Sequence, residues 1–227
     1  FISSENMYDL NINGHNIEVS KIWHYLPDKY LKLFSEYEPS GNLIIDGIIK
    51  GPSTRKTNPH IEIKWQLNNG HLTYDKSDIA VKDLSFSGNY SNGPENLHGT
   101  GSLSIKDIKT KLGSTEFTGS FTISRFDNPY GELILKGKVH TGEIKEFFGP
   151  RNISTAAGAV DFDLKLSGGL DFKRKYTLSD LFNLKTEATL VFNSFSIGLN
   201  NNNLLFSDVE GNLLVSNIIL AKTLRLT

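Results

Sequence analysis

Gly41 to Gly51 reads GNLIIDGIIKG and Gly158 to Gly168 reads GAVDFDLKLSG, the same glycine bracket around an alternating strand, shifted by 117 positions. A short helical run precedes each copy, Leu31-Lys32-Leu33-Phe34 in the first and Ile144-Lys145-Glu146-Phe147-Phe148 in the second. A long alternating strand and a hairpin pattern follow each one. The repeated object is therefore a supersecondary unit and not a lone motif. No catalytic arrangement sits inside it, so the chain reads as a modular β scaffold whose function lies in a surface.

Outward from the bracket, the pattern stays that of strands. Ile61, Ile63, Trp65 and Leu67 alternate with Glu62, Lys64 and Gln66, which at two residues per repeat puts four large apolar groups on one face. Asn68-Asn69-Gly70 reads as a tight turn, because Asn and Gly tolerate positive φ, with Leu72 and Tyr74 on the return strand. Further strands are expected near Ile79 to Tyr90, Leu97 to Ile108, Thr115 to Phe126, Gly131 to Val139, Ala159 to Leu166, Leu184 to Asn193, Phe195 to Leu199 and Leu204 to Val215. The apolar phase slips between Val81 and Leu84 and between Ile105 and Ile108, and each slip predicts a β-bulge. Helix is sparse. Ile22 to Tyr37 is the best candidate, with Pro27 in a first turn, or else two short helices broken there. Ile144 to Phe148 and Leu178 to Phe182 could each make a turn or two. The 21 asparagines fit many turns, with Asn200 to Asn203 read as a hairpin tip.

Bulk properties narrow the partners. With 24 basic and 25 acidic residues the net charge is -1, and no basic stripe suggests nucleic acid. The chain has no cysteine, so disulfide and thiol chemistry are excluded. No apolar run is long enough to cross a bilayer as a helix. The last residues, Lys222 to Thr227, still alternate, which leads us to expect a piece of a longer protein. Two units are expected, residues 1–140 with a helix near 22–37 and residues 141–227 as a second, shorter copy.

Motifs that would carry chemistry are near-misses. Gly51-Pro-Ser-Thr-Arg-Lys56-Thr57 has Arg55 where a phosphate loop needs glycine, and Asn58-Pro59 where its helix should start. Asp9-x-Asn11-x-Asn13-Gly14 matches the front of a calcium loop, but its twelfth position is Ser20; a strand bearing Leu10 and Ile12 that ends in an Asn-Gly turn is the simpler reading. Asp161 and Asp163 fall on the solvated side of a strand, opposite Val160, Phe162 and Leu164. His15, His24, His60, His71, His98 and His140 are scattered without metal-ligand spacing. No nucleophile elbow is present. No enzyme, cofactor or metal is expected.

The order of elements is helix, bracketed strand, Asn58-Pro59, IEIKWQLNNGHLTYD, IAVKDLSFSGNY, GTGSLSIKDI, GSTEFTGSFTISRF, Asn128-Pro129, GELILKGKVHTGEI, then the second helix and bracket. From about Ser20 to Thr227 this order resembles the AsmA-like proteins of Gram-negative bacteria, particularly those of Bacteroidetes. The second copy departs from the first: Ile61 aligns with Thr186 at a shift of 125, so about eight extra residues fall near Gly169 to Ser179, and Asn193-Ser194 stands in for the Asn-Gly pair.

The resemblance implies a mainly β fold in which repeated antiparallel units form an elongated curved sheet or groove. It also implies a periplasmic location, with an inner-membrane anchor lying outside this chain, and further β units of the same longer chain as neighbours. The groove would shelter phospholipid acyl chains between inner and outer membrane during envelope biogenesis. On that reading Ile61, Ile63, Trp65, Leu67, Leu72 and Tyr74 line the groove, with Phe121, Ile123, Phe162 and Leu164 from neighbouring strands. Two other expectations stand beside it. Alternation alone also suits a closed β-sandwich, for instance an adhesin or glycan-binding module using Tyr8, Tyr90 and Tyr130 on loops, and a segment of outer-membrane barrel would alternate as well.

Overall fold

The computed structural model describes residues 6–22, 37–74, 77–143, 153–171, 184–199, 204–217 and 223–226. Among these, eleven strands form one antiparallel sheet in strict chain order. They are β1 (Asn6–Glu18), β2 (Tyr37–Ser53), β3 (His60–Tyr74), β4 (Ser77–Ser91), β5 (Ser102–Leu112) and β6 (Thr115–Ser124), then β7 (Tyr130–His140), β8 (Ile153–Gly169), β9 (Lys185–Leu199), β10 (Leu204–Ser216) and β11 (Thr223–Leu226). A four-residue helix, α1 (Val19–Ile22), links β1 toward β2, and residues 141–143 are helical after β7. β1 and β11 are the two edges. The mainly β expectation holds. The closed sandwich does not, because no second sheet faces the first among the described residues.

The sheet folds this way because six of its ten connections are of six residues or fewer, which makes consecutive strands neighbours, and because the strands carry the same two-faced pattern. Residues directly opposite each other in a ladder project to the same side. One row runs Ile45, Trp65, Gly88, Ile105, Phe121, Leu133, Leu166 across seven strands. Beside it runs Ile12, Gly47, Ile63, Tyr90, Leu103, Ile123. The intervening positions carry the polar set, for example Asp46, Lys64, Asn89, Ser104, Thr122 and Glu132. Salt bridges lie on that face, Lys64 to Glu62 at 2.9 Å and Lys136 to Asp163 at 2.7 Å. Exposed pairs of this kind add little stability; they mark the face that water covers.

With one apolar face and no covering layer among the described residues, the core is thin. Leu67, Leu112, Ile123, Ala159 and Val160 are the buried apolar side chains among the described residues. The accessible surface is 15311 Å², about half as large again as the roughly 10,300 Å² expected of a compact chain of this mass.

Several boundaries differ from the sequence reading, for one recurring reason. Asn68-Asn69-Gly70 is not a hairpin: β3 runs through it, and Asn69, at φ 52°, sits in a β-bulge opposite Gly41 at φ 135°. The tolerance for positive φ that suits a turn also suits the extra residue of a bulge. Leu72 thus lies on the same strand as Trp65. Asn13-Gly14 likewise lies inside β1, which continues to Glu18 past a bulge at Asn16. Asn193-Ser194 joins the two strands expected on either side of it into β9, with Ser194 at φ 45°. The expected slips at 81–84 and 105–108 are bulges, at Asp83 and Asp107. Residues 97–101 are not strand, since His98–Thr100 forms a 3-10 turn. Of the helix expected from Ile22 to Tyr37, Ile22 closes the four-residue α1 and Tyr37 belongs to β2, while residues 23–36 lie outside the described part. So do Ile144 to Phe148, Leu178 to Phe182 and Asn200 to Asn203.

The repeat extends to hydrogen bonds. Asn92 accepts from the Ile61 N–H at 2.9 Å and donates to the Pro59 carbonyl at 2.8 Å, while its own N–H meets the Ile61 carbonyl at 3.2 Å. At the same shift of 125, Asn217 accepts from the Thr186 N–H at 2.5 Å, donates to the Leu184 carbonyl at 2.6 Å, and its N–H meets the Thr186 carbonyl at 3.1 Å. The bulge residues correspond as well: Gly41 with Gly158, Asn69 with Ser194, and Asp83 with Asp208, all at positive φ.

Candidate functional site

The bulges at Gly41, Asn69 and Asp83 stand side by side in β2, β3 and β4. Because a bulge bends its strand and increases its twist, their alignment turns the apolar face into a trough at that level. A concavity of about 640 Å³ occupies it. Leu43 and Ile45 of β2, Ile63, Trp65, Leu67 and Leu72 of β3, and Leu84 and Phe86 of β4 form its floor and walls. Val19 and Ile22 of α1, with Pro39, close one side. Ser40 and His71 are the polar residues at its margin.

Trp65 gives the trough its depth. Its neighbour across the ladder is Gly88, and the indole lies where a Cβ at that position would stand. A glycine there lets the largest side chain lie flat on the sheet. A second apolar hollow of about 170 Å³ lies farther along the same face, lined by Phe121, Leu133, Leu166, Leu170 and Leu184.

Of the lining set expected from the sequence, Ile63, Trp65, Leu67 and Leu72 come together in the trough. Ile61 shares their face opposite Ile49, outside the trough lining. Phe121 belongs to the second hollow. Ile123 is buried at 7 % exposure beside it in the ladder. Phe162 packs against Phe117 with ring centroids 5.8 Å apart, and Leu164 stands opposite Leu135 and Ala188, so both serve the far half of the same face. The Tyr74 side chain lies outside the described part. Leu43, Ile45, Leu84, Phe86 and the two α1 residues were not singled out from the sequence. The alternation of Leu43 and Ile45 within the first bracket was a usable signal, whereas α1 carries none at four residues.

The face continues to the sheet edges. Leu10 and Ile12 of β1 are 48 % and 40 % exposed, and Phe206 of β10, opposite Ile197, is 50 % exposed. Large apolar side chains are thus most open toward the two ends of this face, while those of the strands between are half-buried or buried.

The near-miss motifs of the sequence have plain structural settings. Asp9, Asn11 and Asn13 are strung along an extended strand and do not converge. The Thr54 hydroxyl accepts from the N–H groups of Lys56 and Thr57 at 3.0 Å each, closing that loop on itself. Asp161 and Asp163 face Lys138 and Lys136 on the solvated side. The Lys64 ammonium beside Glu62 holds that carboxyl below its ordinary range. Among the described residues no three His, Asp or Glu side chains gather as metal ligands. Tyr8, Tyr90 and Tyr130 lie on β1, β4 and β7 and not on loops, with Tyr90 stacked on Phe126.

No family model, no curated protein and no solved structure matches the chain. No helix among the described residues is long and apolar enough to cross a membrane.

Proposed function

We propose that this chain is a periplasmic segment of an AsmA-like protein and that its apolar face shelters phospholipid acyl chains in passage between the inner and outer membranes. The observation that carries this reading is the open apolar trough around Trp65, which no second sheet covers among the described residues and which continues strand by strand along one face. Its volume lies within the range of small-ligand sites, and its lining offers dispersion contacts with almost no hydrogen-bonding groups to select a headgroup.

Physical magnitudes favour shelter over tight capture. Each methylene kept from water is worth about 0.8 kcal/mol, so a sixteen-carbon chain crossing bare loses on the order of 12 kcal/mol, an estimate on the same scale. A continuous strip of Ile, Leu, Phe and Trp removes most of that barrier while letting the chain slide. The polar face, with its cross-strand Lys and Asp pairs, keeps the assembly in water. No bond is made or broken, so no catalytic group is needed.

Extraction of the purified protein into organic solvent followed by mass spectrometry tests the proposal. Co-purifying phospholipid at a defined ratio to protein is the expected result. Lipid-free protein that also fails to take up acyl chains from vesicles would overturn it.

A further inference from the structure

The first strand of the sheet has an internal counterpart whose partner is known. β2, β3 and β4 correspond to β8, β9 and β10 through the glycine brackets, the bulges and the Asn92 and Asn217 clamps. Carried one strand outward, the correspondence places β1 on β7. Leu10 faces Ile49 as Leu133 faces Leu166, Ile12 faces Gly47 as Leu135 faces Leu164, and Gly14 faces Ile45 as Gly137 faces Phe162. The sequences match in residue character at four of six positions: Asp9-Leu10-x-Ile12-x-Gly14 against Glu132-Leu133-x-Leu135-x-Gly137. Both strands lead into a helical segment, at Val19–Ile22 and at residues 141–143.

β7 is paired on both sides, with β8 and with β6. Among the described residues, β1 has β2 on one side and an open edge on the other. That edge is long and free of lysine or proline between Asn6 and Glu18, and its bulge lies at Asn16, past Gly14, so that between Met7 and Gly14 Asp9 is its one charged residue against pairing. Met7 is 74 % exposed there. We propose that the Met7–Gly14 edge is a strand-addition site, and that its occupant is a β6-type strand of a further repeat unit. Backbone hydrogen bonds would supply affinity and alternate side chains the register.

The β6–β7 ladder supplies that register. Phe117 stands opposite Gly137, Gly119 opposite Leu135, Phe121 opposite Leu133 and Ile123 opposite Gly131. Large residues thus meet glycine or leucine, and Gly119 leaves room for Leu135, whose Cδ2 would crowd a Cβ at that site. Transferred to β1, the incoming strand sets its aromatic against Gly14, its glycine against Ile12, its second aromatic against Leu10 and its isoleucine against Tyr8. The direction is antiparallel, and the bulge at Asn16 ends the ladder. This inference rests on the repeat and stands whether or not the trough carries lipid.

The test adds a synthetic peptide of Ser114–Arg125, nitroxide-labelled at its N-terminus, to the isotopically labelled whole chain, and reads amide signals along β1. Broadening strongest near Ile12 to Gly14 and weakest near Met7 is expected, with the order reversed for a C-terminal label. A scrambled peptide of the same composition should bind at least tenfold more weakly, as should the native peptide to a Leu10→Glu variant that keeps its β-sheet circular dichroism. β1 signals that do not change, equal binding by the scrambled peptide, or pairing of β1 with β1 in a concentration-dependent dimer would each overturn the proposal. Should Leu10→Glu not fold, the scrambled peptide and the two label positions decide the matter on the unaltered chain.

Discussion

The indole of Trp65 occupies the space above Gly88, the residue directly opposite it on the next strand. A side chain at 88 and a flat tryptophan at 65 cannot coexist. Gly88→Val should therefore lift Trp65 off the sheet and make the trough shallower. Overpacking of this kind costs about 1–3 kcal/mol. In a Trp23→Phe background, the fluorescence of Trp65 should shift to longer wavelength and the urea midpoint should fall, while Ser87→Val on the polar face should change neither greatly.

Asn92 and Asn217 each tie a strand end to the lead-in of the bulged strand beside it. Asn92 is buried at 3 % exposure and has three such bonds. Asn92→Ala leaves the Ile61 N–H without its acceptor, a loss of about 1–3 kcal/mol. Asn217→Ala should lower stability in the same direction by a comparable amount, because its bonds are the same. Equilibrium denaturation of both variants checks whether the two copies are energetically as well as geometrically alike.

Glu143 gives a pH dependence. It lies just past β7 and reaches the β5–β6 turn, accepting from the Ser114 N–H and the Thr115 hydroxyl at 2.9 Å each. Partial burial pushes its carboxyl up, but the Ser114 and Thr115 hydrogen bonds outweigh that and hold it below the ordinary range. A lowered folded value means that the unfolded chain takes up the proton first. The stabilisation is present above the unfolded carboxylate range, about pH 4.3, and is lost as pH falls through the lower folded value. Glu143→Gln should lower the melting temperature at neutral pH and leave a shallower acid-side decline than the unaltered chain shows.

Much of this was legible in the residues. Period-two alternation placed nearly every strand and put Ile63, Trp65 and Leu67 on one face, since that period depends on backbone geometry alone. The glycine brackets revealed the repeat. What misled was asparagine: at 13, 68 and 193 it was read as ending a strand, and in the structure the strand passes through, because positive φ serves a bulge as well as a turn. A bulge is recognised by the partner strand opposite it, which a single segment does not display. The trough had the same blind spot. Its walls come from β2, β3, β4 and α1 at once, and only the register places Leu43 beside Leu67 and Phe86.

The Lys136–Asp163 and Lys138–Asp161 pairs lie on the solvated side, half exposed. Replacing Asp163 with Asn should change stability by no more than about 1 kcal/mol and should leave lipid content unaltered. Reduced lipid content in that variant would place the acyl chains on the wrong face.

The central claim is that hydrocarbon lies against Trp65. Phospholipid carrying a nitroxide along its acyl chain, titrated into the Trp23→Phe variant, reads that contact by quenching. Saturable quenching of Trp65, absent when the sole tryptophan is moved to the polar face by Trp65→Phe with Lys64→Trp, is the result expected. Equal quenching at the two positions, or none at either while the protein is folded, would contradict the account.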